Sequence, residues 1–516
     1  MRIGSEQEML IKVVFLIVFF TVMILVGIYA RKHTTNVGDF VLGGRAVGPW
    51  LTAFAYGTTY FSAVVFVGYA GQFGWKYGLS ATWIGIGNAL IGSLLAWVIL
   101  GRRTRVMTHH LKSTTMPDFF GSRYNSKALR VVASAIAFLF LVPYTASVYN
   151  GLSRLFGMAF DVPYWVCVLA MAVLTGVYVI LGGYMATAIN DLIQGVIMLG
   201  GIIAVIASVL SNNGGFLEAV KQLAQFESEI PITLGQPGAY SSFFGPDPLN
   251  LLGVVILTSL GTWGLPQMVH KFYAIKNEKS IKSGTIISTV FAIVISGGCY
   301  FLGGFGRLYG GGAIQGADGS IAYDAIVPHM LSSLSDVLVG IVVVLVLSAS
   351  MSTLASLVMT SSSTLTLDFI KDNIVRNMSE KKQILVMRIL IIGFIVLSVV
   401  IALDPPTFIA QLMGISWGAL AGSFLAPFLY GLYWKRTTKA AVWASFATGV
   451  GITVSNLFLK YIASPINAGA VAMVAGLVVV PVVSLLSPAP DKTKVQEIFV
   501  CYEETVTVHT KKSIEE

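Results

Sequence analysis

The stretch SASMSTLAS, residues 348–356, carries four serines and one threonine inside an otherwise apolar segment. A hydroxyl surrounded by hydrocarbon costs free energy unless it makes a hydrogen bond or holds a ligand. Ala349, Ser352, Thr353 and Ser356 follow i, i+3, i+4, i+7 spacing, so a helix would place them on one face. Two adjacent hydroxyls supply hard oxygen donors, which with backbone carbonyls suit a small cation such as sodium. The alternative is that they bond to the i−4 carbonyls or hold helices together.

A carboxylate stands in a second apolar segment, GGYMATAINDLIQGVIMLGG, at residues 182–201. We predict that a membrane span begins near residue 190. Asp191 is then either the N-cap of that helix or part of an ion route, and the residues alone leave both readings open. Because a carboxylate can also carry a proton, proton coupling through Asp191 stands beside sodium coupling as an alternative.

The composition indicates the elements that hold these groups. Of 516 residues, 55% are hydrophobic and only 11% are charged, against about 25% charged in soluble domains. Apolar runs of roughly 20 residues recur along the chain. We therefore predict an all-α polytopic membrane protein with about 13 spans. The predicted spans are 11–30, 48–73, 79–101, 129–157, 162–183, 190–211, 249–276, 280–309, 335–368, 385–404, 407–434, 439–460 and 466–487.

The net charge of +9 is best explained by membrane topology. With the N-terminus outside and the C-terminus cytoplasmic, most Lys and Arg residues fall on the cytoplasmic side, as the positive-inside rule requires. This distribution argues against nucleic-acid binding. The first apolar run is predicted to be a span rather than a signal peptide, because Glu6 and Glu8 precede it and Arg31 and Lys32 follow it.

Two predicted spans are interrupted near their middles by small and polar residues. The interruptions are Gly57-Thr58-Thr59 and the segment 261–266, which contains Gly261, Thr262 and Pro266. They lie five spans apart, which predicts two inverted repeats, about 48–211 and 249–434, within one transporter domain at 1–487 that precedes a short cytoplasmic tail at 488–516. Paired broken helices indicate a transport site, whereas the alternative is that glycine and proline only allow kinks and close packing.

Seven stretches, in this order, resemble the sodium:solute symporter family of proline, pantothenate, sialic acid and glucose cotransporters. They are GDFVLGGRAVGPW, FSAVVFVG, TMPDFFGSRYNSKALR, LGGYMATAINDLIQ, GLPQMVHKFYAIKN, SASMSTLAS with STLTLDF, and GLYWKRTTKAA. The resemblance implies the five-plus-five inverted-repeat fold of the leucine-transporter class, with additional spans. It also implies sodium as the coupling ion.

The resemblance further implies a set of sodium ligands. These are the backbone carbonyls of Thr58, Phe61 and Ala349 and the hydroxyls of Ser352 and Thr353. Asp191 and Ser356 fall on the implied ion route or a second site. Ala355 stands where relatives with a second sodium tend to carry a hydroxyl, so one sodium per cycle is expected.

The substrate site is expected beside the two broken helices. Its candidate lining residues are Ser62, Val65, Trp83, Tyr144, Thr262, Trp263 and Gln267. Val65 and Trp83 stand where sugar-carrying relatives use polar residues, which makes a sugar a poor fit. A small amino acid such as proline, or a monocarboxylate such as pantothenate, fits better. His270 and Lys271 are expected to snorkel to the cytoplasmic interface.

The predicted function is sodium-coupled symport of a small organic solute by alternating access. The alternatives are a proton-coupled symporter of the same fold, a uniporter or a nutrient sensor. We find no catalytic constellation, so an enzyme is not predicted. The expected partners are the solute, sodium and the lipid bilayer, without nucleic acid or an obligate protein partner.

Overall fold

The computed structural model describes residues 2–31, 36–160, 162–310, 314–315, 319–375 and 377–503, and nearly all of them lie in helices. Within these residues, ten helices are long and apolar enough to cross a membrane, or eleven if a pair bent by 45° is one span. The ten are Lys12–Ala30, Val64–His110, Lys127–Phe160, Gly183–Asn212, Glu278–Gly303, Asp336–Ile370, Glu380–Leu403, Ile409–Tyr433, Lys439–Leu459 and Pro465–Leu486. The bent pair is Pro248–Gly264 with Pro266–Ala274.

These helices account for most of the predicted spans, while the number 13 stays a prediction. The predicted fifth span corresponds to a shorter apolar helix, Tyr164–Val177. The predicted second span is divided between Pro49–Tyr60 and the start of Val64–His110. Shorter helices connect the long ones: Val37–Leu42, Met116–Arg123, Phe216–Ala224, Tyr323–Ser332 and Lys492–Phe499.

The helix Asp336–Thr364, called here the hydroxyl helix, lies at the centre of the core. Every residue from 345 to 364 is buried, as expected of a helix with protein on all sides. It packs against Lys127–Phe160, Pro49–Tyr60 and the long helix Tyr164–Asn212. Its hydroxyls therefore face protein rather than lipid.

A buried carboxylate, that of Asp368, anchors the C-terminal end of the hydroxyl helix. Asp368 follows it directly in the chain and accepts hydrogen bonds from Thr115 Oγ1 at 2.5 Å and from Arg130 Nε at 2.8 Å. A buried charge of this kind is tolerated when it is paired and hydrogen-bonded. The contact joins the hydroxyl helix to the start of Lys127–Phe160.

An outer helix, Glu380–Leu403, shows the surface that lipid would cover. Its exposed large side chains recur at helical spacing on one face: Leu385, Ile389, Ile392, Val396 and Val400. In water such a continuous apolar stripe would be costly, whereas hydrocarbon solvates it. Large apolar residues thus face outward here, as lipid would require, and apolar residues also form most of the buried face of this helix.

Candidate functional site

The first broken helix consists of Pro49–Tyr60 followed by Val64–Tyr69 and Ala70–Tyr77. The chain leaves helical geometry at Phe61, where φ is −90° and ψ is 119°. It re-enters a helix through the Ser62 carbonyl, which accepts from the amides of Val65 and Phe66. The break was predicted at residues 57–59 and in fact begins after Tyr60. The break leaves carbonyls near the end of Pro49–Tyr60 without the amide groups, four residues further along, that would pair with them in a continuous helix.

Three carbonyl oxygens at this break, together with the Ala349 carbonyl of the hydroxyl helix, converge on one hydroxyl of the hydroxyl helix. Thr353 Oγ1 lies 3.3 Å from the oxygen of Thr58, 3.1 Å from that of Thr59, 3.3 Å from that of Phe61 and 3.1 Å from that of Ala349. A hydroxyl has a single hydrogen, so it cannot satisfy four acceptors. The result is a concentration of negative partial charge, called here the oxygen cluster, which suits a hard cation. The Thr59 carbonyl is a member that the sequence did not indicate.

Ser352 connects the oxygen cluster to Asp191. Its Oγ donates to Asp191 Oδ1 at 2.6 Å and lies 2.8 Å from Thr58 Oγ1. The Thr58 hydroxyl donates to the Phe54 carbonyl one turn earlier. Three of the five predicted sodium ligands, the carbonyls of Thr58, Phe61 and Ala349, thus lie around the fourth, the Thr353 hydroxyl, and the fifth, Ser352, borders them.

Asp191 occupies a different position in its helix from the one expected. The helical segment begins at Gly183, a residue with φ 59° that breaks the long helix Tyr164–Asn212. Asp191 therefore lies two turns inside, and the N-cap interpretation is wrong. The side chain is fully buried, and among the described residues its Oδ2 has no hydrogen-bond partner.

Lys271 is the largest departure from the sequence-based prediction. It does not snorkel: only 2% of the residue is exposed, and its Nζ donates to Ser356 Oγ at 3.0 Å. Ser356 in turn shares a hydrogen bond of 2.9 Å with Thr59 Oγ1. His270 beside it is buried as well. The snorkelling prediction fails because the hydroxyl helix, not lipid, packs against this helix.

The second broken helix bends at Leu265, between Pro248–Gly264 and Pro266–Ala274. Gly264 allows a close approach, because a Cβ there would meet the backbone of Ala421 and Leu425 at 2.8 Å. Before the bend, Thr262 donates to the Gly92 carbonyl at 3.0 Å. The break falls inside the predicted segment 261–266.

A small cavity of about 10 Å³ lies between the two broken helices. That volume is close to what one water molecule needs, so the walls are closed together in this conformation. Its lining residues are Tyr56, Gly57, Tyr60, Phe61, Asn88, Gly92, Ser93, Thr262, Met268, Ser288 and Ala292.

Of the predicted substrate residues, Thr262 lines this cavity and Trp263 and Gln267 lie on either side of the bend. Trp263 donates to the Ile91 carbonyl at 3.0 Å, while Gln267 Oε1 has no partner among the described residues. Trp83 is different, because its indole donates to the Phe243 carbonyl and its ring packs against the Phe243 ring. The structure therefore does not bring Trp83 to the other candidates.

The remaining candidates lie around the first break. Ser62 Oγ accepts from the Val64 amide, and Val65 is fully buried in the next turn. Tyr144 packs edge-on against Trp417, with ring centroids 5.8 Å apart.

An aromatic contact missing from the prediction joins these groups. The Tyr60 ring packs against the Trp417 ring, with 5.6 Å between the two ring centroids. Its hydroxyl and the Trp417 indole nitrogen have no hydrogen-bond partner among the described residues. The position of Tyr60 next to the break was the available signal, whereas nothing in the sequence singled out Trp417.

Comparison with known proteins identifies the family to which this chain, with its two broken helices and buried hydroxyl helix, belongs. The model of the sodium:solute symporter family covers residues 40–449. This chain belongs to the sodium:solute symporter family. The family prediction made from seven short stretches is thereby confirmed.

Curated relatives of this symporter-family chain include proline carriers. It is 27% identical to the osmoregulated proline transporter OpuE of Bacillus subtilis (strain 168), over 92% of this chain and 94% of the relative. It is 28% identical to the sodium/proline symporter of Escherichia coli (strain K12), over 83% of this chain and 84% of the relative. The protein is therefore a membrane transporter rather than an enzyme, from a family that carries solutes with sodium.

Solved structures show the same fold. A substrate-bound, outward-open Na⁺-coupled sialic acid symporter superposes with a TM-score of 0.75 at 19% identity, covering 93% of this chain and 98% of that one. Mhp1, a nucleobase-cation-symport-1 family transporter, gives a TM-score of 0.53 at 13% identity, covering 90% and 99%. At these identities the likeness establishes the transporter fold and no more.

Proposed function

We propose that this protein is a sodium-coupled symporter that imports a small organic solute by alternating access. The observation that carries the proposal is the oxygen cluster, where four carbonyls face the single hydroxyl of Thr353. Sodium at this point would be held by the carbonyls of Thr58, Phe61 and Ala349 and the hydroxyls of Ser352 and Thr353. The Thr59 carbonyl is an additional candidate ligand.

The proposal includes a topology. Thirteen spans would form one transporter domain at 1–487, with inverted repeats at about 48–211 and 249–434 and a tail at 488–516. The N-terminus would lie outside and the C-terminus in the cytoplasm, consistent with the distribution of basic residues. In this orientation the hydroxyl helix runs inward, so Ser356 and the Lys271 ammonium bonded to it lie on the cytoplasmic side of Thr353.

Sodium would act by linking two helices. An ion in the oxygen cluster ties the hydroxyl helix to the first broken helix, which favours the outward-open form and completes the solute site. The ion can shift the equilibrium only through its difference in affinity between the two forms. A membrane potential adds about 2.3 kcal/mol per charge per 100 mV to inward movement. Ala355 in place of a hydroxyl favours one sodium per cycle.

The solute would bind between the two breaks, where unpaired polar atoms and aromatic rings lie together. Tyr60, Tyr144 and Trp417 supply rings for an apolar portion, and Thr262, Trp263 and Gln267 supply polar atoms nearby. Ser62 and Val65 complete the candidate lining, and Trp83 is left out of it because its indole and ring contact Phe243. A small amino acid such as proline, which the curated relatives carry, is the first candidate, and a monocarboxylate such as pantothenate is the second.

The experiment that tests sodium binding is thermal unfolding of the purified protein in sodium, potassium or choline chloride at equal ionic strength. At a sodium concentration 100 times the dissociation constant, sodium should stabilise the protein by about 2.7 kcal/mol. The double variant Ser352→Ala/Thr353→Ala should lose the sodium-specific part of this shift.

The matched control is Ser362→Ala/Ser363→Ala on the same helix. These hydroxyls donate to the Met359 and Thr360 carbonyls within their own helix, so this variant should keep the sodium response. If the wild-type protein unfolds at the same temperature in all three salts, sodium is not the coupling ion. Proton coupling through Asp191 would then be the function to test.

A further inference from the structure

Lys271 places a positive charge beside the oxygen cluster. Its Nζ donates to Ser356 Oγ at 3.0 Å and lies 5.1 Å from the centre of the Tyr184 ring. With 2% of the residue exposed, the ammonium is shielded from water. An ion placed here is expensive unless a partner or a function compensates.

Hydrogen bonds through Ser356 and Thr59 connect Lys271 to the oxygen cluster. Ser356, which accepts from Lys271, bonds to Thr59, whose carbonyl belongs to the oxygen cluster. On the other side, Asp191 accepts from Ser352 and interacts electrostatically with Lys271. One carboxylate therefore interacts both with a tethered cation and with a hydroxyl that borders the oxygen cluster.

We propose that Lys271 is a tethered competitor of sodium for Asp191, which lowers sodium affinity and promotes sodium release to the cytoplasm. This inference rests on the proposed sodium symport. Asp191 can neutralise one positive charge, and two cations at short range in a poorly polarisable interior repel each other strongly. When sodium leaves, the ammonium balances the carboxylate, so the empty carrier can return without a buried unpaired charge.

Lysine suits this role better than a purely structural one. Its four-carbon stem is flexible and its charge is compact, so the ammonium can move toward Asp191 or away from it. A contact needed only to satisfy Ser356 Oγ would be made equally well by a neutral donor such as glutamine. Lys271 is thus a positioning residue for the ion, and its charge rather than its hydrogen bond is the property to test.

The test is a sodium titration of the thermal shift in five purified proteins: wild type, Lys271→Gln, Lys271→Arg, Asp191→Asn and Asp191→Asn/Lys271→Gln. Removing the ammonium should lower the half-saturating sodium concentration about tenfold. Lys271→Arg should stay close to wild type, because it keeps the charge. Asp191→Asn should raise the half-saturating concentration, and the double variant should return most of the way to wild type.

Transport gives a second readout that a structural role would not produce. In proteoliposomes with an imposed sodium gradient, Lys271→Gln should slow net proline uptake several-fold, because sodium leaves slowly. Solute exchange with saturating sodium on both sides should stay near wild type. Lys276→Gln is the control, since Lys276 is exposed and lies five residues further along.

The outcomes separate this inference from the proposed function. If wild type responds to sodium but Lys271→Gln binds it equally or more weakly, the tethered-competitor role is wrong and sodium symport stands. If wild type shows no sodium response, the proposed function itself fails. Should Lys271→Gln not fold, the comparison of Asp191→Asn with the double variant decides, because removing the ammonium should still strengthen sodium binding.

Discussion

At the scale of single residues, several polar side-chain atoms in the described interior are buried without a hydrogen bond. The hydroxyls of Tyr60, Tyr69 and Tyr300 and the indole nitrogen of Trp417 are buried without a partner among the described residues. Leaving a buried donor unsatisfied costs about 1–3 kcal/mol. Such a cost is understandable where a solute is to be bound, because the solute then supplies the missing partners.

The variant Tyr60→Phe tests whether one of these unpaired hydroxyls binds the solute. Removing a hydroxyl that makes no hydrogen bond among the described residues should leave the unfolding temperature unchanged or slightly higher, while the KM for proline uptake rises at least about fivefold. The KM is obtained from initial rates of sodium-driven uptake in proteoliposomes. Proline is the solute used, or pantothenate if the wild-type protein transports that instead.

Tyr56→Phe is the matched control in the same cavity wall. Tyr56 donates to the Gly92 carbonyl at 2.7 Å, so its loss should cost about 1 kcal/mol of stability with little change in KM. Equal KM values for wild type and Tyr60→Phe would show that this hydroxyl does not meet the solute.

At the scale of elements, glycines decide how closely the broken helices approach their neighbours. Gly74, on Ala70–Tyr77, lies against the helix Gly298–Gly303, where an added Cβ would overlap the Gly303 carbonyl. The same approach from the other side puts Gly303 against the Ala70 carbonyl. Small residues of this kind let membrane helices pack backbone to backbone.

Gly74→Ala should therefore destabilise the protein by about 3 kcal/mol, because backbone atoms on both helices must move apart. Gly200→Ala is the control, since no atom lies within 4 Å of the position its Cβ would take. It should be neutral or stabilising by about 0.5–1 kcal/mol, as alanine favours the helix. Thermal unfolding in detergent measures both. Equal stability of the two variants would contradict the close contact.

At the scale of the whole molecule, the outer helices expose large apolar side chains, while a large apolar core encloses the buried polar groups. The three cysteines, all within the described residues, are buried and form no disulfide: Cys167, Cys299 and Cys501. An introduced exposed cysteine should therefore be the main site that a thiol reagent reaches. This makes the proposed orientation directly measurable.

Leu234 is exposed in a loop, and Lys381 is exposed in the first turn of Glu380–Leu403, so each can be replaced by cysteine in a separate variant. With the proposed topology, a membrane-impermeant maleimide should label Leu234→Cys in intact cells. Lys381→Cys should be labelled only after the membrane is permeabilised, because basic loops stay in the cytoplasm. The reverse pattern would invert the topology and with it the direction of sodium movement.

The sequence by itself determined the class of protein, the approximate spans, the family and the hydroxyl face of residues 348–356. These follow from composition, helical periodicity and short local motifs, which depend on neighbours within a few residues. The sequence also located both helix breaks to within a few residues, since glycine, proline and small polar residues act locally on the backbone.

Only the tertiary structure decided what those local features meet. It moved the first break to Phe61, brought Thr59 into the oxygen cluster, put Asp191 inside its helix and turned Lys271 toward Ser356 rather than toward the membrane surface. Lys271 and Ser356 are 85 positions apart in the chain. Such long-range packing decides whether a side chain faces lipid, water or another helix, and no local sequence pattern encodes it.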